Sequence, residues 1–233
     1  MNEATELLLF SGGIDSTILL KHFLQEKKKV RVLYIELGWA ERMHGRVRLQ
    51  NIAANNILQY MKEKYGDFEY SQATVMTTLD EENESTYFGT DNQWCVFYGA
   101  MFCNNYNIDR MWMGHYSYTD EILRQKYVKH ENDTEVYGHH CLPGDYTKEK
   151  MQFYIDVGSR LQNSDIDLCT PATVYKGEGI DRFKNKKEAW DTLEIDLKKM
   201  VRTCFSTEWH CNECPKCNNL RKMNIYDDKG IPL

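Results

Sequence analysis

The stretch Leu7-Leu8-Leu9-Phe10-Ser11-Gly12-Gly13-Ile14-Asp15-Ser16-Thr17-Ile18-Leu19-Leu20 leaves the chain few ways to fold. A short apolar run meets a Ser-Gly-Gly turn and restarts as a helix, so it reads as buried strand, sharp turn and helix start. Two glycines let the backbone turn tightly and come close to a ligand. Asp15-Ser16-Thr17 adds N-terminal helix chemistry, where free N–H groups and the helix dipole attract anions. The stretch therefore suits a phosphate cradle. The alternative is a strand-turn-helix junction with capping residues and no ligand. The spacing is not that of G-x-x-x-x-G-K-[ST], because no Lys follows the second glycine, nor that of G-x-G-x-x-G.

Downstream the same alternation continues. Residues 18–24 extend the helix, Lys27-Lys28-Lys29 closes it with charge that suits a helix C-terminus, and Val30 to Leu37 reads as a second strand. This βαβ unit predicts adjacent parallel strands with ligands outside their carboxyl ends, near Tyr34 and Glu36. A helix is expected over 42–64 with Val47, Leu49, Ile52, Ile57, Leu58 and Met61 as its apolar positions. A strand follows over 70–79, then the acidic run 80–84, which reads as a solvated loop. A helix over 94–106 and a strand over 110–115 complete the clear part of the pattern. The predicted fold is α/β, a doubly wound parallel sheet, with a small C-terminal metal-binding segment. The expected division is an α/β domain over 1–170 and a helical, metal-binding region over 171–233.

Between 116 and 158 the pattern weakens. His139-His140-Cys141 lies there, and because adjacent ligands are geometrically awkward it is expected to be structural or to line a substrate site. Lys184 to Met200 reads as an amphipathic helical region leading into the tail.

The chain has 233 residues, 42% apolar and 27% charged, which bounds it to one domain of ordinary size or one with an appendage. A net charge of -6 argues against a broad electrostatic grip on nucleic acid and favours small-molecule substrates. No apolar run is long enough to span a membrane and no export signal is evident, so a cytoplasmic protein with no membrane partner is expected.

Eight cysteines without an export signal point to thiols or metal rather than a disulfide framework. Four of them crowd the tail: Cys204, Cys211, Cys214 and Cys217 are spaced C-x6-C-x2-C-x2-C. Two-residue gaps form the tight knuckle that turns successive sulfurs toward one ion, and a closed tetrathiolate fits structural Zn²⁺ best. An iron-sulfur cluster or unliganded thiols are the alternatives. His210 is a substitute ligand that the spacing does not require.

The loop S-G-G-x-D-S resembles the pyrophosphate loop of the adenine-nucleotide alpha-hydrolases. With the tail C-x-x-C-x-x-C-x-x-x-R, the chain looks like the 7-cyano-7-deazaguanine synthase family of that superfamily over most of its length. Thr170-Pro171, Lys176, Thr203-Cys204, Asn92 and Gly114 resemble further segments of the family. Asp91 departs from it by standing where an arginine is usual, and the family's acid-binding segment has only a loose counterpart around Asp145 to Lys148. The resemblance implies an ATP- and Mg²⁺-dependent ligase. ATP is cleaved to AMP and pyrophosphate, a 7-deazaguanine carboxylate is adenylated, ammonia attacks, and a second activation dehydrates the amide to a nitrile. By the same resemblance Phe10, Ser11, Gly12, Gly13, Ile14, Asp15, Ser16 and Thr17 hold the nucleotide. Asp15, Ser16 and Lys176 are the catalytic candidates, with Asp15 placing the Mg²⁺. The acid falls to Asn92, Lys148 or Lys150. No stable nucleic-acid partner is expected, and a homodimer stays open.

Overall fold

The computed structural model describes residues 6–38, 44–76, 91–114, 166–169, 186–204, 209–227 and 229–233. Among the described residues five strands form one sheet: β1 (Glu6–Phe10), β2 (Val30–Gly38), β3 (Glu69–Met76), β4 (Arg110–Met113) and β5 (Asp167–Cys169). Their spatial order is β3-β2-β1-β4-β5 and every pairing is parallel, with Phe10 opposite Tyr34 and Leu9 opposite Met113. Parallel neighbours need long crossovers. From β1 to β4 these contain α1 (Ile14–Gln25), α2 (His44–Tyr65) and α3 (Asp91–Tyr106).

The order fixes where a ligand would bind. From β1 the chain steps outward through β2 and β3, then returns to place β4 on the other side of β1. The strand order therefore reverses between β1 and β4, and in open α/β sheets the crevice outside such a switch point is the binding position. The turn at Ser11-Gly12-Gly13 follows β1 at that place.

β1 is buried along its whole length, as a central strand covered on both faces must be. Alternate residues serve opposite faces. Leu8 and Phe10 pack with Ile14, Phe23, Ile57 and Met61 of α1 and α2, whereas Leu7 and Leu9 pack with Val96, Ala100 and Cys103 of α3. Glu6 begins the strand as a buried carboxylate satisfied by Arg110 Nη1 at 3.2 Å and Trp112 Nε1 at 2.5 Å, both from β4.

The helix expected over 42–64 runs His44–Tyr65. Its inward stripe is Ala53, Ala54, Ile57, Leu58 and Met61, while Ile52, expected to be apolar and inward, is exposed. Ala54 is the residue of α2 that lies against Gly12, and Ile52, two positions away, falls about 200° round the helix from it.

The amphipathic region expected over 184–200 is two short helices, α4 (Lys186–Asp191) and α5 (Ile195–Met200). They are separated by a turn in which Thr192 Oγ1 donates to the Ala189 carbonyl at 2.7 Å and Glu194 takes an extended conformation. The break lets Glu194 face two other helices: Lys21 of α1 lies at 3.1 Å from its carboxylate, and Lys64 of α2 at 2.7 Å. Trp190, Leu197, Val201, Leu220, Ile225 and Tyr226 join the same core cluster as Leu8 and Phe10. The described residues on both sides of position 170 thus contribute to one core. Among the described residues no helix is long and apolar enough to cross a membrane.

Candidate functional site

The turn after β1 is shaped by main-chain geometry. Gly12 has φ +70°, the left-handed region, and a Cβ there would lie 3.0 Å from Ala54 N. Only glycine meets both demands without strain. Gly13 is the extended N-cap of α1 and has no side-chain cap. The first helical bond is Thr17 N–H to the Gly13 carbonyl at 3.1 Å, so the N–H groups of Ile14, Asp15 and Ser16 have no intrahelical acceptor. Gly114, just past β4, lets that strand end press on the same turn; a Cβ there would sit 2.5 Å from Ser16 N.

Hydroxyl groups brace the turn from inside. Ser11 N–H donates to Ser16 Oγ at 3.2 Å, and the two serine hydroxyls lie 3.1 Å apart. Thr17 Oγ1 donates to the Gly13 carbonyl at 2.7 Å. From α2, Gln50 Nε2 donates to the Ser11 carbonyl at 3.1 Å. Ser11 is exposed and Gly13 and Asp15 are half-buried, whereas Gly12, Ser16 and Thr17 are buried. The side chains of Phe10 and Ile14 lie in the core, so those two residues present only main chain to a ligand. Together these features form a braced helix N-terminus whose N–H groups suit an oxyanion, with the Asp15 carboxylate in the first turn to accept a hard cation such as Mg²⁺.

The four tail cysteines converge. Their sulfurs all lie within 4.8 Å of one another, and Cys204 Sγ is 3.9 Å from Cys214 Sγ. A tetrahedral ion with bonds of about 2.3 Å sets its sulfurs about 3.8 Å apart, so the group fits one metal ion. A four-iron cube binds each thiolate through a different iron and spreads the sulfurs by the width of the cluster as well. Main-chain N–H groups point at the sulfurs as knuckle turns require: Cys211 N to Cys204 Sγ at 3.4 Å, Cys214 N to Cys211 Sγ at 3.3 Å and Cys217 N to Cys214 Sγ at 3.5 Å. Burial raises the Cys211 thiol, but N–H groups of Cys214 and Glu213 and the thiols of Cys204 and Cys214 outweigh it, bringing it to about 7. Burial and neighbouring sulfurs push Cys217 up. Crowded thiols of this kind ionise together only when a cation offsets their repulsion.

His210 lies outside the four-sulfur group. Its ring stacks obliquely on Tyr226 at 4.4 Å between centroids, and burial with the nearby Arg202 charge holds it down at about 4, hence neutral at neutral pH. Tyr34 and Glu36, expected near the ligand, have protein partners: the buried Tyr34 hydroxyl donates to Asn51 Oδ1 of α2, and Glu36 accepts from Gln72 Nε2 of β3 at 3.3 Å. Lys148, Lys150, Lys176 and His139-His140-Cys141 lie outside the described residues, as does the side chain of Asn92.

One feature of the site had no local signal in the sequence. Val201-Arg202-Thr203-Cys204 lies directly on the glycine turn, with Arg202 N–H donating to the Gly12 carbonyl at 3.1 Å. Thr203 Cγ2 is 3.6 Å from where a Gly13 Cβ would be. The loop and the cysteine centre are therefore neighbours, although almost 190 residues separate them in the chain.

No family model matches the chain, and no curated protein matches it. Among solved structures it is similar to the U34-tRNA thiolase NcsA from Methanococcus maripaludis with its [4Fe-4S] cluster, at 17% identity and a TM-score of 0.29. That match covers 85% of this chain, which spans 66% of the thiolase. At such identity and TM-score the likeness says nothing about chemistry.

Proposed function

We propose that the protein is an ATP-dependent enzyme that cleaves ATP to AMP and pyrophosphate in order to activate a carboxylate. The observation that carries this reading is the glycine turn: an α-helix N-terminus without a side-chain cap, at the switch point of a doubly wound parallel sheet, with an acidic residue in its first turn. N–H groups fixed before the reaction stabilise charge on the departing pyrophosphate without reorganising. Mg²⁺, held by Asp15, would neutralise phosphate charge. Ser11 and Ser16 keep the turn in shape, and Ser16 is positioned to act through the loop rather than from solvent.

The acid is proposed to be 7-carboxy-7-deazaguanine. One carboxylate oxygen attacks the α-phosphorus and pyrophosphate leaves. Ammonia attacks the acyl carbon, AMP leaves and a proton is lost, giving the amide. The amide oxygen attacks the α-phosphorus of a second ATP and expels pyrophosphate, and loss of AMP and of both N–H protons forms the nitrile. This substrate rests on the sequence resemblance, as do the roles of Lys176 near the phosphates and of Asn92, Lys148 or Lys150 at the acid. The cysteine centre is proposed to hold one Zn²⁺. Its four sulfurs fill a tetrahedron and leave no position for water, which makes the role structural.

Pyrophosphate release from the zinc-loaded protein tests the reading. Release that requires both ammonium and 7-carboxy-7-deazaguanine, with the nitrile found by mass spectrometry, is the expected result. Release that requires tRNA instead would replace this reading with sulfur transfer to tRNA. ATP binding without release under any of these conditions would reduce the protein to a nucleotide binder.

A further inference from the structure

We propose that Val201-Arg202-Thr203-Cys204 is a strap by which the cysteine centre holds the nucleotide loop in its binding shape, so that metal occupancy and nucleotide affinity are coupled. The inference rests on the reading of the glycine turn as an ATP loop.

Four consecutive residues make the connection. Val201 is fully buried in the main core beside Leu197 and anchors one end. Cys204, 2% exposed, belongs to the four-sulfur group and anchors the other. Between them, Arg202 N–H donates to the Gly12 carbonyl. The Arg202 carbonyl and Thr203 Cγ2 lie 3.8 Å and 3.6 Å from the Cβ position of Gly13. Thr203 Oγ1 is buried and makes no hydrogen bond among the described residues. Gly12 is the left-handed residue of the turn, so its peptide orientation decides where the following N–H groups point. A hydrogen bond to its carbonyl from a tethered strand fixes that orientation.

A bound metal restrains Cys204, and through one intervening residue it restrains the Arg202 N–H. Without the ion the strap loses the restraint at Cys204. A nucleotide that needs the ordered turn then has to supply the ordering itself, which weakens its binding. Linkage makes the effect reciprocal: whatever factor the metal adds to nucleotide affinity, the nucleotide adds to metal affinity. Arg202 and Thr203 are positioning residues in this scheme.

The test uses the full chain loaded with zinc and a magnesium-saturated, non-hydrolysable ATP analogue. The rate of zinc transfer to a chelating dye is measured with and without saturating analogue, alongside analogue affinity by calorimetry. The expected result is slower zinc release, with zinc held about fivefold or more tightly against the dye at equilibrium, the lower end of ordinary coupling. Global stabilisation by a ligand would also slow release, so the Thr203→Gly variant is compared at saturating analogue. It should keep its zinc and its wild-type circular dichroism, bind the analogue more weakly, and lose most of the protection. Protection undiminished in Thr203→Gly, or release rates unaffected by analogue in the parent protein, would overturn the strap while leaving the ATP reading intact. Failure of the zinc-loaded parent to bind the analogue would overturn the ATP reading and the strap together.

Discussion

Single atoms decide what the loop tolerates. A Cβ at Gly12 meets both a left-handed φ and the Ala54 backbone, so Gly12→Ala should cost at least about 1–2 kcal/mol, the penalty of the left-handed conformation alone. Gly114→Ala places its methyl 2.5 Å from main chain at Ser16, which cannot swing aside as a side chain would. It should cost about 1–3 kcal/mol, the usual range for overpacking. Because the displaced atoms are the loop itself, nucleotide affinity should fall further than the melting temperature suggests; thermal melts with and without ATP separate the two effects. Asp15→Asn is different in kind. Asp15 is half-buried, and an amide fits the same space, so the fold should survive. An amide does not replace an anionic ligand of a hard cation, so Mg²⁺-dependent ATP turnover should fall by most of its value. Unchanged turnover would remove Asp15 from the metal.

Between elements, two clusters hold the C-terminal part of the chain. In the cysteine centre, Cys214→Ser removes one of four converging sulfurs. It should lower both bound zinc, measured by elemental analysis, and the unfolding temperature, because the free energy of metal binding is folding free energy in such sites. A variant that keeps full zinc would show the metal to be elsewhere. The second cluster is Glu194 with Lys21, Lys64 and Tyr65. Burial raises this carboxyl, but hydrogen bonds from Lys64 and Lys21 outweigh it and carry it from an ordinary 4.5 to about 2. The folded carboxylate thus holds its proton less tightly than the unfolded one. Its stabilisation is complete above about pH 4.5 and disappears as pH falls toward 2. Solvent reaches part of the group, so Glu194→Gln should cost about 1–2 kcal/mol at neutral pH, above a fully exposed pair and below a fully buried one. Chemical denaturation in steps from pH 7 to 2.5 should show a shallower decline for the variant than for the parent below pH 4.5.

Across the whole molecule, one core joins the sheet to the tail, because Leu8 and Phe10 of β1 share a cluster with Trp190, Val201 and Tyr226. Chelation should therefore reach beyond the metal centre. Removing the proposed zinc should weaken near-ultraviolet dichroism from Trp190, which packs edge-on against Tyr226, itself in contact with His210, the sequence neighbour of Cys211. An unchanged aromatic signal in the metal-free protein would show the centre to be energetically separate from this core.

Local pattern was enough for much of this. The run Leu7 to Leu20 marks a buried strand, a glycine turn and a helix because each depends on neighbouring residues: apolar content, freedom at Gly12, and first-turn chemistry at Asp15. The doubly wound parallel sheet follows from the alternation of strands and helices, since parallel strands require such crossovers. The four-cysteine group was legible from two-residue gaps, because a knuckle is a local turn. What local pattern missed depends on contacts between distant residues. Ile52 sits at an apolar position of a helix but is exposed, because α2 turns Ala54 toward Gly12 and so carries Ile52 to the opposite side. The region 184–200 breaks into two helices where Glu194 meets lysines from α1 and α2. Only the folded chain brings Arg202 to the Gly12 carbonyl, because that hydrogen bond links two main-chain groups and leaves no mark on residue type.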